Sequence, residues 1–100
     1  MDWKTLCKTT KPKFSLGALL FSAGFNRLVH EGLIDPVPLL HRHVRGDWGD
    51  MDDEDKQIND DALNAHCRLF SAYEVPPHYR VWVITEADRS TTTMLLPEDY

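Results

Sequence analysis

Cys67-Arg-Leu-Phe-Ser-Ala-Tyr73, Tyr79-Arg-Val-Trp-Val-Ile-Thr85 and Thr91-Thr-Thr-Met-Leu-Leu96 are three apolar runs inside one thirty-residue stretch, and their reading decides the fold. β-Branched and aromatic residues dominate all three, and such side chains fit a pleated, half-buried surface. Val75-Pro-Pro-His78 separates the first pair and forbids strand there, because proline cannot donate to a ladder; Glu86-Ala-Asp-Arg-Ser90 separates the second. Two short connections in succession predict an antiparallel meander. Pro97 ends it.

Upstream of the meander the period changes. Phe14-Ser-Leu-Gly-Ala-Leu-Leu-Phe21 begins with alternation and ends as an apolar run, which predicts a first strand. Ser22 suits the cap of a short helix striped by Phe25, Leu28 and Val29 and stopped by Gly32. Asp35-Pro36 starts a second helix on two counts, an acceptor for an orphan amide and a proline where no amide is needed. Val37, Leu40 and Val44 stripe it, with Arg42 and Arg45 near its negative end. His43-Val-Arg-Gly-Asp-Trp-Gly-Asp50 then turns a corner: Gly46 is suited to the left-handed helix end, Gly49 to a second tight turn, and Asp50 or Asp52 to the next N-cap. A third helix follows, with Asp52-Asp-Glu-Asp55 at its positive end and an apolar stripe of Ile58, Ala62 and Ala65. The expected order is β-α-α-α-β-β-β, an α+β domain with three helices on one face of a small antiparallel sheet. It spans residues 14–100. Met1 to Lys13, with four lysines and no sustained period, reads as a leader or loosely docked arm.

One hundred residues make one domain with a real core, and the net charge of −5 disfavours sequence-independent nucleic-acid binding. A protein partner with a basic surface is expected, and direct nucleic-acid contact is not. Cys7 and Cys67 match neither a metal motif nor a disulfide framework, no signal peptide opens the chain, and no apolar run approaches a membrane span. The reading is cytoplasmic, with free thiols, no membrane contact and no cofactor.

Between Gly46 and Asp61 the acids are Asp47, Asp50, Asp52, Asp53, Glu54, Asp55, Asp60 and Asp61, against Lys56 alone. A solubilising helix normally mixes both signs, so this asymmetry marks a contact surface as the alternative to a solvated face. The expected partner-binding set is Asp47, Trp48, Asp50, Asp52, Asp53, Glu54 and Asp55, with the glycine-flanked Trp48 as its aromatic anchor. A calcium loop does not fit, because the acids lack regular alternation and a terminal glutamate. No metal site is expected: His41 and His43, two apart on a helix, point away from each other, and His66 and Cys67 would have to meet them across the fold, with His30 as a spare.

His43-Val44, Gly46-Asp-Trp-Gly-Asp50, Glu54-Asp55, Arg68-Leu69, Ser71-Ala-Tyr73, Trp82-Val-Ile-Thr-Glu-Ala-Asp-Arg-Ser90 and Leu95-Leu-Pro-Glu-Asp-Tyr100 together resemble a family of small uncharacterised bacterial proteins. Its members occur on plasmids, integrative elements and chromosomes, and some carry the label "plasmid-related protein" or a restriction-modification label. The likeness covers roughly Phe14 to Tyr100 and leaves out the lysine-bearing leader and the Pro76-Pro77 turn. It implies a mobile-element protein and brings no catalytic residues. Joined to the acidic run, it implies a non-enzymatic interaction module, an acidic inhibitor or modulator of a host-defence or nucleic-acid-binding complex. In layout alone, helices followed by a meander also resemble small microbial ribonucleases and RelE-type toxins. That alternative requires a base, an acid and a cation on one sheet face, from Arg68, His78, Glu86, Asp88 and Arg89.

Overall fold

The three runs of the meander form strands β2 (Leu69–Val75), β3 (Tyr79–Thr85) and β4 (Thr91–Leu95), paired antiparallel in sequence order. They belong to a computed structural model that describes residues 12–100. The register aligns Tyr73 with Val81 and Val83 with Met94, so Leu69, Ser71, Tyr73, Val81, Val83, Thr85, Thr92 and Met94 share one face, and all are buried. Phe70, Ala72, Trp82, Ile84, Thr93 and Leu95 share the other.

The fourth strand, β1 (Ala18–Phe21), lies beside β4 and completes a sheet of order β1-β4-β3-β2. It runs parallel to β4, which makes the sheet mixed where wholly antiparallel pairing was expected. The cause is local. Gly17 adopts φ +65°, a Cβ there would lie 2.3 Å from the Ser90 carbonyl oxygen, the Ala18 amide donates to that oxygen at 2.9 Å, and the Thr92 hydroxyl donates to the Leu16 carbonyl at 2.7 Å. β1 therefore starts where β4 starts. The same bend shortens the strand from the expected Phe14–Phe21, and it frees Phe14 to pack against His43 and Trp48.

Between β1 and β2 come α1 (Ala23–His30), α2 (Pro36–Val44) and α3 (Asp53–Ala65). Ser22, Asp35 and Asp52 cap them, each side-chain oxygen accepting a first-turn amide. Phe25, Ile34 and Leu39 bury against Tyr73, Val81, Val83, Met94 and Leu96, while α3 contributes Ala62 to a second cluster with Trp48 and Leu69. At roughly 1.5–3 kcal/mol for each large apolar side chain fully buried, these contacts hold the helices to the sheet.

The inward side of α3 differs from the expected Ile58, Ala62 and Ala65 stripe. Ile58 is 59 % exposed and Ala65 is exposed, whereas Asn59 and Ala62 are buried. The reason is what the helix covers. It lies along the β2 edge, whose backbone needs polar partners: Asn59 Nδ2 donates to the Phe70 carbonyl at 2.8 Å and its Oδ1 accepts the Phe70 amide at 3.0 Å. The corner closes the rest of that edge. Asp50 donates its amide to the Ala72 carbonyl and Ala72 donates to the Trp48 carbonyl, at 2.7 and 3.0 Å. Of the expected leader, Lys13 docks by its amide on the Val44 carbonyl at 2.7 Å, and residues 1–11 lie outside the described residues. Among the described residues no helix is long and apolar enough to cross a membrane.

Candidate functional site

The corner places its side chains by the way it lies on β2. Because residues 48–50 bridge to Ala72 in a strand-like manner, Trp48 turns inward and is 2 % exposed. Its Nε1 donates to Asp60 Oδ1 at 2.9 Å, its ring stacks on Phe14 at 6.3 Å, and His43 meets it edge-on at 5.7 Å. The expectation that Trp48 anchors a partner is thereby corrected. The indole is part of the core, and its one polar group is satisfied within the fold.

Several acids of the expected set are engaged internally. Asp47 accepts two bonds from the Arg42 guanidinium, at 2.7 and 3.3 Å, and one from the Gly49 amide at 3.2 Å. The Arg42 bond comes first among the causes that hold its carboxyl below the usual range. Arg42 in turn lies over the Tyr73 ring, 4.5 Å from its centre, and the buried Tyr73 hydroxyl donates to the Asp47 carbonyl oxygen. Asp50 pairs with Arg80 at 3.3 Å. Asp52 is the N-cap of α3. Asp53, Glu54 and Asp55 remain, exposed on the first turn of α3, and among the described residues no basic side chain pairs with them.

The last of these, Asp55, borders a groove. Met51, Asp55, Ile58, Asn59, Arg68 and Phe70 line a cavity of about 300 Å³ between α3 and β2. Ile58 stands at its edge with most of its side chain in solvent. The arrangement is an apolar floor with an acidic rim on one side. Ile58, Met51 and Phe70 lie outside the expected set, because the apolar stripe assigns Ile58 to the core. Spacing does not separate them, since Ile58 and Ala62, four apart, share a helix side as Asn59 and Ala62 do; the β2 edge that α3 covers decides which residue turns inward.

The nuclease parts do not converge. Glu86, Asp88 and Arg89 lie at one end of β3 and His78 at the other, roughly 20 Å apart at strand rise. Arg89 is spent on the backbone, donating to the carbonyls of Cys67, Ala62 and Glu86 at 2.6, 3.0 and 3.1 Å. Asp88 closes its own turn by accepting the Ser90 amide at 2.9 Å. Arg68 and Glu86 form a surface pair at 3.3 Å. The histidines are likewise dispersed in role. His43 is wholly buried, with Nδ1 2.5 Å from Ser71 Oγ and Nε2 2.9 Å from Thr85 Oγ1, so neither nitrogen is open to an ion.

No protein-family model, no curated protein and no solved structure matches the chain.

Proposed function

We propose that this protein is a non-enzymatic interaction module of bacterial mobile elements, acting in the cytoplasm, and that it binds a basic protein surface through the outer face of α3. In this reading the partner belongs to a host-defence or nucleic-acid-binding complex, and the module inhibits or modulates it. The observation that carries the proposal is the exposure of Ile58, 59 %, between a groove floored by Met51 and Phe70 and the acidic turn Asp53-Glu54-Asp55. An apolar centre with a charged rim is the usual anatomy of a specific interface: the centre supplies affinity, and the rim supplies orientation and association rate. Among the described residues no ion pair forms to Asp53, Glu54 or Asp55, and Arg68, which also lines the groove, is paired with Glu86.

The test uses the full chain as bait in extract from a plasmid-bearing host, followed by titration of the captured protein after it has been purified. Charge reversal at Asp53, Glu54 and Asp55 together is expected to abolish capture, Ile58→Glu to abolish it independently, and added salt to slow association. Equal binding by the charge-reversed chain would overturn the reading.

A further inference from the structure

The two edges of the sheet are finished differently. The β2 edge is closed by the bridge at Gly49 and by Asn59, as natural edges usually are. Among the described residues, the β1 edge has none of these devices. Ala18-Leu-Leu-Phe21 contains no charge and no proline, and Ala18, Leu19 (46 %) and Leu20 (50 %) are exposed. Its hydrogen-bonding phase is fixed by its neighbour. The amides of Ala18 and Ser22 donate to β4, so with period two Leu20 also faces β4, while Leu19 and Phe21 direct their amides and carbonyls outward.

We propose that this edge receives a second copy of the chain, β1 against β1 in antiparallel sense about a twofold axis, making one eight-stranded sheet. The geometry admits one register. Outward-facing residues must pair with outward-facing residues, and both partners must be extended. Centring the axis on Leu19 would pair Phe21 with Gly17, which has left the strand at φ +65°. Centring it on Phe21 would pair Leu19 with Ala23, which is helical. Centring it on Leu20 pairs Leu19 with Phe21 of the second copy twice over, and closes four backbone hydrogen bonds. The two Leu20 side chains then face each other in the close, non-hydrogen-bonded position. They continue the row Phe70, Ile84, Thr93, Leu20 across the outer face of the combined sheet.

Charge favours this occupant. Each copy is acidic, and the acidic first turn of α3, Asp53-Glu54-Asp55, lies beside β2, at the far side of the sheet. Joined at β1, the two copies hold those regions about 34 Å apart, seven strand spacings, against a screening length of about 8 Å at physiological salt. The strand residues brought together, Ala18 to Phe21, carry no charge. Four residues of edge make a modest interface, so the dimer is concentration-dependent.

Sedimentation and light scattering of the full chain, followed upward in concentration, are expected to show the mass rising from 11.5 kDa to twice that value, and Leu20→Lys is expected to hold it at 11.5 kDa with an unchanged circular dichroism spectrum. In a background with Cys7→Ser and Cys67→Ser, oxidised Leu20→Cys is expected to give a disulfide-linked dimer, because directly opposed non-hydrogen-bonded positions meet the distance a disulfide needs. Leu19→Cys is expected to give little, since its counterpart lies diagonally across the axis. A wild-type chain that stays at 11.5 kDa throughout, or Leu19→Cys linking as readily as Leu20→Cys, would overturn the proposal.

Discussion

His43 Nε2 donates to Thr85 Oγ1 across 2.9 Å, and the direction of that bond is set by a carbonyl two side chains away. Thr92 must give its single hydroxyl proton to the Leu16 carbonyl, so at the 2.7 Å contact between Thr85 and Thr92 the donor is Thr85. Thr85 then has no proton left for His43 and accepts from Nε2. His43 is neutral in this chain of bonds, with Nδ1 accepting from Ser71. The chain ties α2 to β2, β3, β4 and the approach to β1 through the middle of the core.

Acid should therefore weaken the fold well before the carboxylates titrate. Burial, reinforced by the Arg89 charge, lowers the His43 imidazole from 6.5 to about 3 in the folded protein. As pH falls, the unfolded chain takes up this proton first. The stability is therefore complete above about 6.5 and is lost at about 1.4 kcal/mol per pH unit between there and about 3. Urea midpoints are expected to fall steadily from about pH 6.5 to about pH 5, a window above the carboxylate range. The same series for His43→Gln is expected to be nearly flat there. A wild-type midpoint that does not move across this window would remove His43 as a buried neutral group.

Gly49 is the residue the corner cannot exchange. It sits at φ +82°, and a Cβ there would lie 2.1 Å from the Ala72 carbonyl oxygen, which accepts the Asp50 amide. Gly49→Ala combines left-handed strain of about 1–2 kcal/mol with a clash against backbone, for a loss of about 2–5 kcal/mol. Chemical denaturation measures it. Gly32→Ala, also left-handed but with nothing within 4 Å of the added Cβ, is the comparison that isolates the clash.

Along α3 the expected ordering of two neighbours reverses their hydropathy. Asn59→Leu leaves the Phe70 amide and carbonyl without partners at a buried edge and is expected to cost about 2 kcal/mol or more. Ile58→Ala removes a side chain that is mostly in water and is expected to change stability by less than about 0.5 kcal/mol. Thermal or urea unfolding of the two variants decides the ordering. An Ile58→Ala loss as large as that of Asn59→Leu would return Ile58 to the core and remove the groove from consideration as a contact surface.

The same pair shows where sequence is informative and where it is not. Strands β2, β3 and β4 were legible because alternation and proline breaks are local signals, and the helix starts at Ser22, Asp35 and Asp52 were legible because a cap is a property of one side chain and the next three amides. The side of α3 that faces inward was not, because it depends on covering a sheet edge, and an edge rewards a polar residue that a hydrophobic stripe excludes. Trp48 was misplaced for a related reason. A tryptophan between glycines suits a display loop or a buried corner equally, and the difference lies in Asp60, whose carboxylate receives the indole from twelve residues away. The parallel sense of β1 likewise rests on a meeting of Gly17 with Ser90 that no local pattern records.

Arg89 offers the clearest separation of a structural from a catalytic arginine. Its guanidinium gathers the carbonyls of Cys67, Ala62 and Glu86, joining the end of α3 and the start of β2 to the β3–β4 turn. Its own backbone is left-handed at φ +60°. Removing the fork should cost about 1.5–3 kcal/mol, the range for hydrogen bonds made by a charged group. The backbone adds a second, independent effect: Arg89→Gly loses the same contacts as Arg89→Ala but relieves the left-handed strain, so it is expected to be the more stable of the two by about 1 kcal/mol. Lysine, a point charge on a flexible stem, cannot reproduce a fork spread over three acceptors, so Arg89→Lys is expected to recover only part of the loss. Unfolding curves for the three variants, run beside an assay of structured RNA with the wild-type chain, test both roles at once. Cleavage by the wild type that disappears in Arg89→Lys while its stability stays at the wild-type level would make Arg89 a catalytic group; a loss of stability in all three variants, smaller for glycine than for alanine, is the signature of the clamp.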